Sequence, residues 1–244
     1  MQYLHELMAV SRVDRVTFLI DAVRGQRVLH VGCVDSGLLQ ERLLKGDFLH
    51  GRLRGSAREL WGLDIDEDGI AKLQALGYSN VVAGSAEDPP VGVPRGYFDI
   101  VVAGELIEHV RNAGRFLDAA RESLRPGGVL IVTTPNALRC FNWLPALTGR
   151  ELVHPDHLVW YSPYTLRRAV ERAGFEALAM HVYATPPQVD TCKGKKWGGR
   201  WLRRFYNGVM GVLHPATVGI WPYLSDGLIL VATRPPGETT LHAC

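Results

Sequence analysis

The sequence predicts an α/β protein on a doubly wound, mostly parallel sheet of seven strands, with helices on both faces. Three observations carry that expectation. Short runs rich in Val, Leu and Ile recur along the chain: RVLHVG at 27–32, ELWGLD at 59–64, FDIVVA at 98–103 and VLIVT at 129–133. Stretches with apolar residues at helical spacing lie between them. Turn-forming glycines and acids stand where the runs stop. Strands that alternate with helices need crossover connections, and these give parallel strands covered on both faces.

The elements follow in order. Residues 11–23 carry Val13, Val16, Leu19, Ile20 and Val23 at helical spacing and stop at Arg24-Gly25, a common helix end. The strand at 27–32 runs into glycine, and residues 38–44 read as a helix. The strand at 59–64 ends in an acid, the helix at 67–76 ends at Gly77, and 80–83 is a third strand. The fourth strand is 98–103. A helix at 113–124 is closed by Arg125-Pro126-Gly127-Gly128, before the fifth strand at 129–133. The helix at 162–173 has Pro163 near its start and Gly174 just past its end. Residues 176–183 and 226–234 read as the last two strands. The whole, 1–244, reads as one domain with an N-terminal helix within 1–25 and an insert at 184–225.

Composition bounds the function. Hydrophobic residues are 47% and charged residues 21% of the 244, ordinary for a chain with a full core. A net charge of +2 is too small to point to nucleic acid. Cys33, Cys140, Cys192 and Cys244 form no C-x-x-C pair, which argues against a disulfide framework or a cysteine zinc site. A reducing, cytoplasmic setting is expected. No leader and no membrane-spanning run is read, so any membrane contact is expected to be peripheral.

In doubly wound sheets ligands sit beyond the carboxyl ends of the strands, near the switch point in strand order. The turn VLHVGCVDSG, 28–37, offers glycines and then the start of a helix. In GLDID, 62–66, Asp64 suits a ribose, whose two hydroxyls a carboxylate can accept, and Asp66 suits a helix N-cap. Gly32 is followed by Cys33-Val34, so the G-x-G of a dinucleotide fingerprint is missing, and no P-loop occurs.

The segments YFDIVVAGELIEHV and LRPGGVLIVTTPN complete a pattern. With the earlier turns, the chain over about 27–174 resembles class I S-adenosylmethionine-dependent methyltransferases, in particular the ubiquinone-methyltransferase-like group. The resemblance implies a Rossmann-like sheet and S-adenosylmethionine as cofactor. It implies that Gly32 and Gly37 shape the turn around the methionine part and that Asp64 holds the ribose, with Ile65 against the adenine. Ser85, Ala86 and Glu87 would lie at the adenine edge, and Glu105 and Leu106 would line the pocket. Asp99 reads as structural. The chain departs from the family in having His30 where an acid is usual, and Val34-Asp35-Ser36 where the turn is usually tighter. Asp35 is expected to take over part of the missing carboxylate's role toward the cofactor's ammonium.

HPDHLVWYS, 154–162, places His154 and His157 in a loop expected over the open end of the sheet, where His157 first and His154 second are expected to act as base on a substrate hydroxyl. The plain alternative, a loop histidine bonded to backbone, weighs equally for each. Two histidines and an aspartate so close lack a metal-site spacing, and no metal is expected. His109 reads as pocket wall. The segment 193–206, KGKKWGGRWLRRFY, has six basic residues and no acid, with Trp197, Trp201 and Phe205 four apart. It reads as an amphipathic element for an anionic membrane surface or substrate. The expected function is O-methylation of a small molecule: a sugar, a natural-product intermediate or a lipid-linked molecule. The alternatives are an RNA methyltransferase and a non-catalytic cofactor-binding protein. The first lacks an N-P-P-Y-like motif, since 104–107 is GELI. The second is motivated by His30.

Overall fold

A computed structural model describes residues 4–89, 92–140, 142, 146–147, 149–185 and 214–236. The strands are β1 (Val10–Arg12), β2 (Arg27–Val31), β3 (Glu59–Asp64), β4 (Val81–Ala83), β5 (Phe98–Gly104), β6 (Leu124–Pro135), β7 (Glu176–Tyr183) and β8 (Gly227–Thr233). The helices are α1 (Arg15–Ala22), α2 (Leu39–Lys45), α3 (Leu49–Arg54), α4 (Glu67–Ala75), α5 (Ala113–Ser123) and α6 (Pro163–Arg172). Residues 214–220 are also helical, and Pro222–Leu224 form a 3-10 turn.

All eight strands form one sheet in the order β1-β7-β8-β6-β5-β2-β3-β4. Every pairing is parallel except those of β8, which runs against both β6 and β7. The chain winds outward from β2 to β4, then crosses back to β5 on the other side of β2. The switch point therefore lies between β2 and β5.

Side-chain alternation splits the core between the two faces. Leu29 and Val31 of β2 join Phe98, Phe116, Leu117, Leu166 and Val170 beneath α5 and α6. Val28 turns the other way, to Leu19, Val23, Leu49 and Leu53 of α1 and α3. Phe98 and Phe116 are fully enclosed, and each such side chain contributes roughly 1.5–3 kcal/mol. A third cluster joins Leu39, Phe48, Ile70 and Leu73 around Val34. The helices begin where their caps say. Asp14, Asp66 and Asn112 each accept from a backbone N–H one turn on, and Ser162 and Thr165 form a capping box.

The sheet has eight strands where seven were expected. The addition is β1, inside a stretch whose spacing predicts helix from residue 11. Val10–Arg12 instead pairs with the β7 edge, whose open backbone groups need partners, and the helix starts only at Arg15. Helix α3 has six residues, too few for periodicity to reveal, and was not expected. The RPGG sequence expected to close α5 continues as strand, because the Gly127 N–H donates to the Arg234 carbonyl and the Arg234 N–H to that of Gly128. The amphipathic segment 193–206 lies outside the described residues.

Candidate functional site

Two non-glycine residues adopt left-handed backbone, Asp35 and Glu105, both with φ 55°. They follow β2 and β5, the two strands that flank the switch point. Such conformations cost free energy for residues with a Cβ and persist where the surroundings enforce them. The Glu105 N–H is held by the Thr133 carbonyl at 2.9 Å and the Thr133 hydroxyl at 3.1 Å.

The first turn fits a ligand that approaches backbone. Gly32 has φ +76°, and a Cβ there would lie 3.2 Å from Leu106 Cδ1. Gly32 and Leu106 thus meet across the switch point. Gly37, φ +81°, has open space around it. Asp64 ends β3 with Oδ2 accepting from the Val34 N–H at 2.8 Å and Oδ1 from that of Asp66 at 3.0 Å. The carboxylate is thereby fixed in place with lone pairs remaining for hydroxyl donors. Asp66 caps α4 and also accepts from the Ser36 hydroxyl at 2.9 Å. Ile65 beside it is 77% exposed, an apolar surface open to a planar ring. After β4, the Ser85 hydroxyl accepts from the Glu87 N–H, Ala86 packs on the core, and Glu87 accepts from the Arg111 N–H at 2.8 Å. The loops after β4 and β5 are so tied into one wall.

Asp35 lies 3.3 Å from Arg42 Nε, and burial raises its carboxyl's pKa against the opposing pull of Arg42. His30 is enclosed, with its Nδ1 3.2 Å from that of His50 on α3. It shares the α1–α3 face of β2 with Val28, a face that also carries Arg15. The acid usual in this position is thus replaced by half of a buried histidine pair.

Glu105 reaches a network the sequence did not reveal. Its Oε1 accepts from the Thr133 hydroxyl at 3.2 Å and from the Tyr183 hydroxyl. Arg15 Nε donates to Thr133 Oγ1 at 3.1 Å. Tyr183 ends β7 and Arg15 opens α1, so β6 and β7 meet on the Glu105 carboxylate and α1 is tied to it through Thr133. No sequence pattern links them.

Beside it, Glu108 is 1% exposed; its Oε2 accepts from the Thr134 hydroxyl at 2.9 Å while Oε1 has no partner among the described residues. Burial, and then the Glu105 carboxylate, push its pKa up to about 8. The Glu108 carbonyl accepts from the Leu158 N–H at 2.8 Å, which pins the histidine loop over this end of the sheet. The structure then separates the two expected bases. His154 Nδ1 accepts from the Asp156 N–H of its own loop at 3.3 Å, the backbone role. His157 Nδ1 is buried without a partner among the described residues, and burial, then His109 and His154, lower its pKa to about 4. His109, expected as wall, donates through Nδ1 to the Asp156 carbonyl at 3.1 Å, and its ring centroid lies 4.6 Å from that of His157. Donor atoms of Glu108, His109 and His157 lie within 4.8 Å of one another, close enough to share a proton or a cation. The third member of this group is Glu108, not the Asp156 of the loop. Its only signal in the sequence is the glutamate of the EHV that ends YFDIVVAGELIEHV. Among the described residues no helix is long and apolar enough to cross a membrane.

Comparison with known proteins agrees with this arrangement. The family model described as a methyltransferase domain matches residues 3–180. A ubiquinone biosynthesis O-methyltransferase of Dechloromonas aromatica is 32% identical over 188 residues, 71% of this chain and 73% of that protein. A probable S-adenosylmethionine-dependent methyltransferase of Mycolicibacterium smegmatis is 33% identical over 121 residues, and there the match spans about half of each chain, 49% and 44%. The fold matches an S-adenosylmethionine-dependent methyltransferase from Archaeoglobus fulgidus with a TM-score of 0.56 at 20% identity, over 90% of this chain and 91% of that one. S-adenosylmethionine is the cofactor this membership brings, and the turn at Gly32 with its Leu106 contact, the fixed Asp64 and the open Ile65 fit it. The chain belongs to the methyltransferase domain family.

Proposed function

We propose that the protein transfers a methyl group from S-adenosylmethionine to a hydroxyl of a small-molecule acceptor, a sugar, a natural-product intermediate or a lipid-linked molecule, with His157 as the base. The observation that carries this is the buried, unpartnered His157 Nδ1 above the ends of β5 and β6. S-adenosylmethionine supplies an electrophilic methyl on a sulfonium. Gly32, Gly37 and Asp35 shape the methionine end, Asp64 holds the ribose, Ile65 meets the adenine, and Ser85, Ala86 and Glu87 close its edge. Glu105 and Leu106 line the wall beside the acceptor. The acceptor oxygen forms its bond to the methyl carbon as the carbon–sulfur bond breaks, so alignment supplies most of the acceleration. His157 Nδ1 takes the hydroxyl proton, and burial keeps it neutral and ready to do so. The name of the Dechloromonas relative, an O-methyltransferase, supports oxygen as the acceptor atom.

Peripheral contact with an anionic membrane through 193–206 belongs to the same reading. Leu147, Leu152, Leu158, Ile220 and Trp221 are exposed in segments that follow β6 or precede β8, at the same open end of the sheet. Co-sedimentation with anionic liposomes, lost in Arg200→Glu/Arg203→Glu/Arg204→Glu, is the expected result.

The test of the chemistry is methyl transfer from labelled S-adenosylmethionine to a panel of catechol and sugar acceptors. His157→Ala should lower turnover about 10²–10⁴-fold with cofactor affinity kept, and His154→Ala much less. Full turnover in both variants sinks the assignment. A second reading rests on the closeness of Glu108, His109 and His157: they hold a divalent cation that binds the acceptor oxygen. Loss of turnover on chelation, restored by zinc or another imidazole-binding divalent metal, selects that reading.

A further inference from the structure

A cleft of about 300 Å³ opens at the opposite end of the sheet from the cofactor turn. Its walls are the end of α3, the start of β3 and the start of β4, whereas Asp64 and Gly84 mark the other ends of those two strands. His50 and Val81 are the buried residues of its lining, and Arg54, Arg58 and Ser79 the exposed ones.

The positive charge here is not spent on the fold. Arg54 has no carboxylate partner among the described residues, and its guanidinium lies over the Tyr78 ring, 4.8 Å from the centroid. Arg58 NH2 lies 3.9 Å from Asp99, but that carboxylate is already held by Arg27 at 3.0 Å and Arg125 at 2.7 Å. The one acid in the lining, Glu59, is engaged by the Trp61 indole at 2.7 Å and the Tyr97 hydroxyl at 2.6 Å. The wall is also preformed. The Tyr78 hydroxyl approaches Gly51 so closely that a Cβ there would lie 2.8 Å from it. One guanidinium without a carboxylate partner among the described residues and a second held only at 3.9 Å, at a rim above a floor of imidazole, aromatic and aliphatic groups, match an oxyanion carried on a small organic body.

We propose that this cleft is a second binding site, for a small phosphate monoester whose phosphate is held by Arg54 and Arg58 and whose body rests on Tyr78 and His50. The site is separate from the methyl-transfer centre, and its occupant is neither cofactor nor acceptor. Arginine suits it because a planar guanidinium meets two phosphate oxygens at once.

The test is calorimetric titration of the full chain with glycerol 3-phosphate, with glycerol as the neutral control, and with ring-proton spectra of His50 recorded in parallel. Wild type should bind glycerol 3-phosphate saturably in the millimolar range or tighter, with a shift of the His50 signals, and should not bind glycerol. Arg54→Leu/Arg58→Leu should weaken that binding at least tenfold, as expected when two charge-assisted contacts are removed. Arg95→Glu/Arg115→Glu, placed elsewhere on the surface, should leave it unchanged. S-adenosylmethionine affinity equal to wild type in the double leucine variant shows that it is folded. Equal binding of glycerol 3-phosphate by wild type and the double leucine variant, or no saturable binding by wild type, overturns the proposal. So does weakening by the Arg95/Arg115 variant to the same degree, since that is charge attraction without a site.

Discussion

His30 and His50 meet inside the protein, Nδ1 to Nδ1 at 3.2 Å, and both residues are almost wholly enclosed. One nitrogen donates and the other accepts, which requires at least one neutral ring. Burial, the largest cause for each, lowers both pKa values, that of His50 to about 4. The unfolded chain takes up protons on these rings below about pH 6.5, and the folded chain does not. The pair's own contribution to stability is therefore complete above about 6.5 and falls as pH drops from there toward 4, by about 1–2 kcal/mol per buried histidine between pH 7 and 5. Urea denaturation across that range should show it. His50→Phe should flatten the slope, whatever its effect at neutral pH. An unchanged slope would mean that the pair is already charged in the folded protein.

Asp64 holds the Val34 and Asp66 amides, and the proposed function gives it the cofactor ribose as a second task. Asp64→Ala should weaken S-adenosylmethionine binding by about 1.5–3 kcal/mol for each lost hydrogen bond to the carboxylate. The freed amides should also lower thermal stability. Calorimetry with S-adenosylhomocysteine reads the first effect and a melting curve the second. Unaltered affinity would remove Asp64 from the cofactor site.

Asp99 lies at the other end of the sheet and binds β2 to β5 and β6 through Arg27 and Arg125. The Arg27 hydrogen bond, foremost, holds its carboxyl well below the usual carboxylate range. Its stabilisation is thus present above about pH 3.9 and is lost only in stronger acid. Asp99→Ala leaves the partly exposed arginines without their shared anion and should lower stability, with cofactor affinity kept. A variant as stable as wild type in urea would contradict this.

Glu108 and His157 should shape the pH profile from opposite sides. His157 acts when neutral, so its limb lies near pH 4 rather than 6.5. Glu108 keeps its proton up to about pH 8. If the protonated carboxyl positions the acceptor, kcat/KM is flat through pH 5–7 and falls above about 8. Glu108→Gln, a permanent neutral form, should abolish the alkaline limb. Its persistence in that variant would assign the limb to another group.

Gly227 opens β8 directly against the Tyr183 ring, and a Cβ there would lie 2.0 Å from its Cζ. Gly227→Ala must displace Tyr183 from Glu105, at about 1–3 kcal/mol for an overpacked site. Lower thermal stability is the expected result, and Tyr183→Phe should be milder because the ring stays. Equal melting temperatures for Gly227→Ala and wild type would show that the ring moves freely.

The sequence by itself determined the layered α/β plan, because the core needs apolar strands at period two and helices near 3.6, and both periods are written locally. It also placed the ligand end, because glycine at 32 and acids at 64 and 66 are punctuation that a strand–turn–helix connection requires where it stands. Tertiary structure decided what has no local signature. Val10–Arg12 is a strand only because the β7 edge offers it partners, and three residues carry no period of their own. The network of Arg15, Thr133, Tyr183 and Glu105, in which Arg15 bonds Thr133 and Thr133 and Tyr183 bond Glu105, spans 168 positions, from Arg15 to Tyr183, and is set by the tertiary arrangement. The same holds for the surroundings of His154 and His157: one bonds its own loop, while the Nδ1 of the other is buried beside Glu108 and His109 without a partner among the described residues.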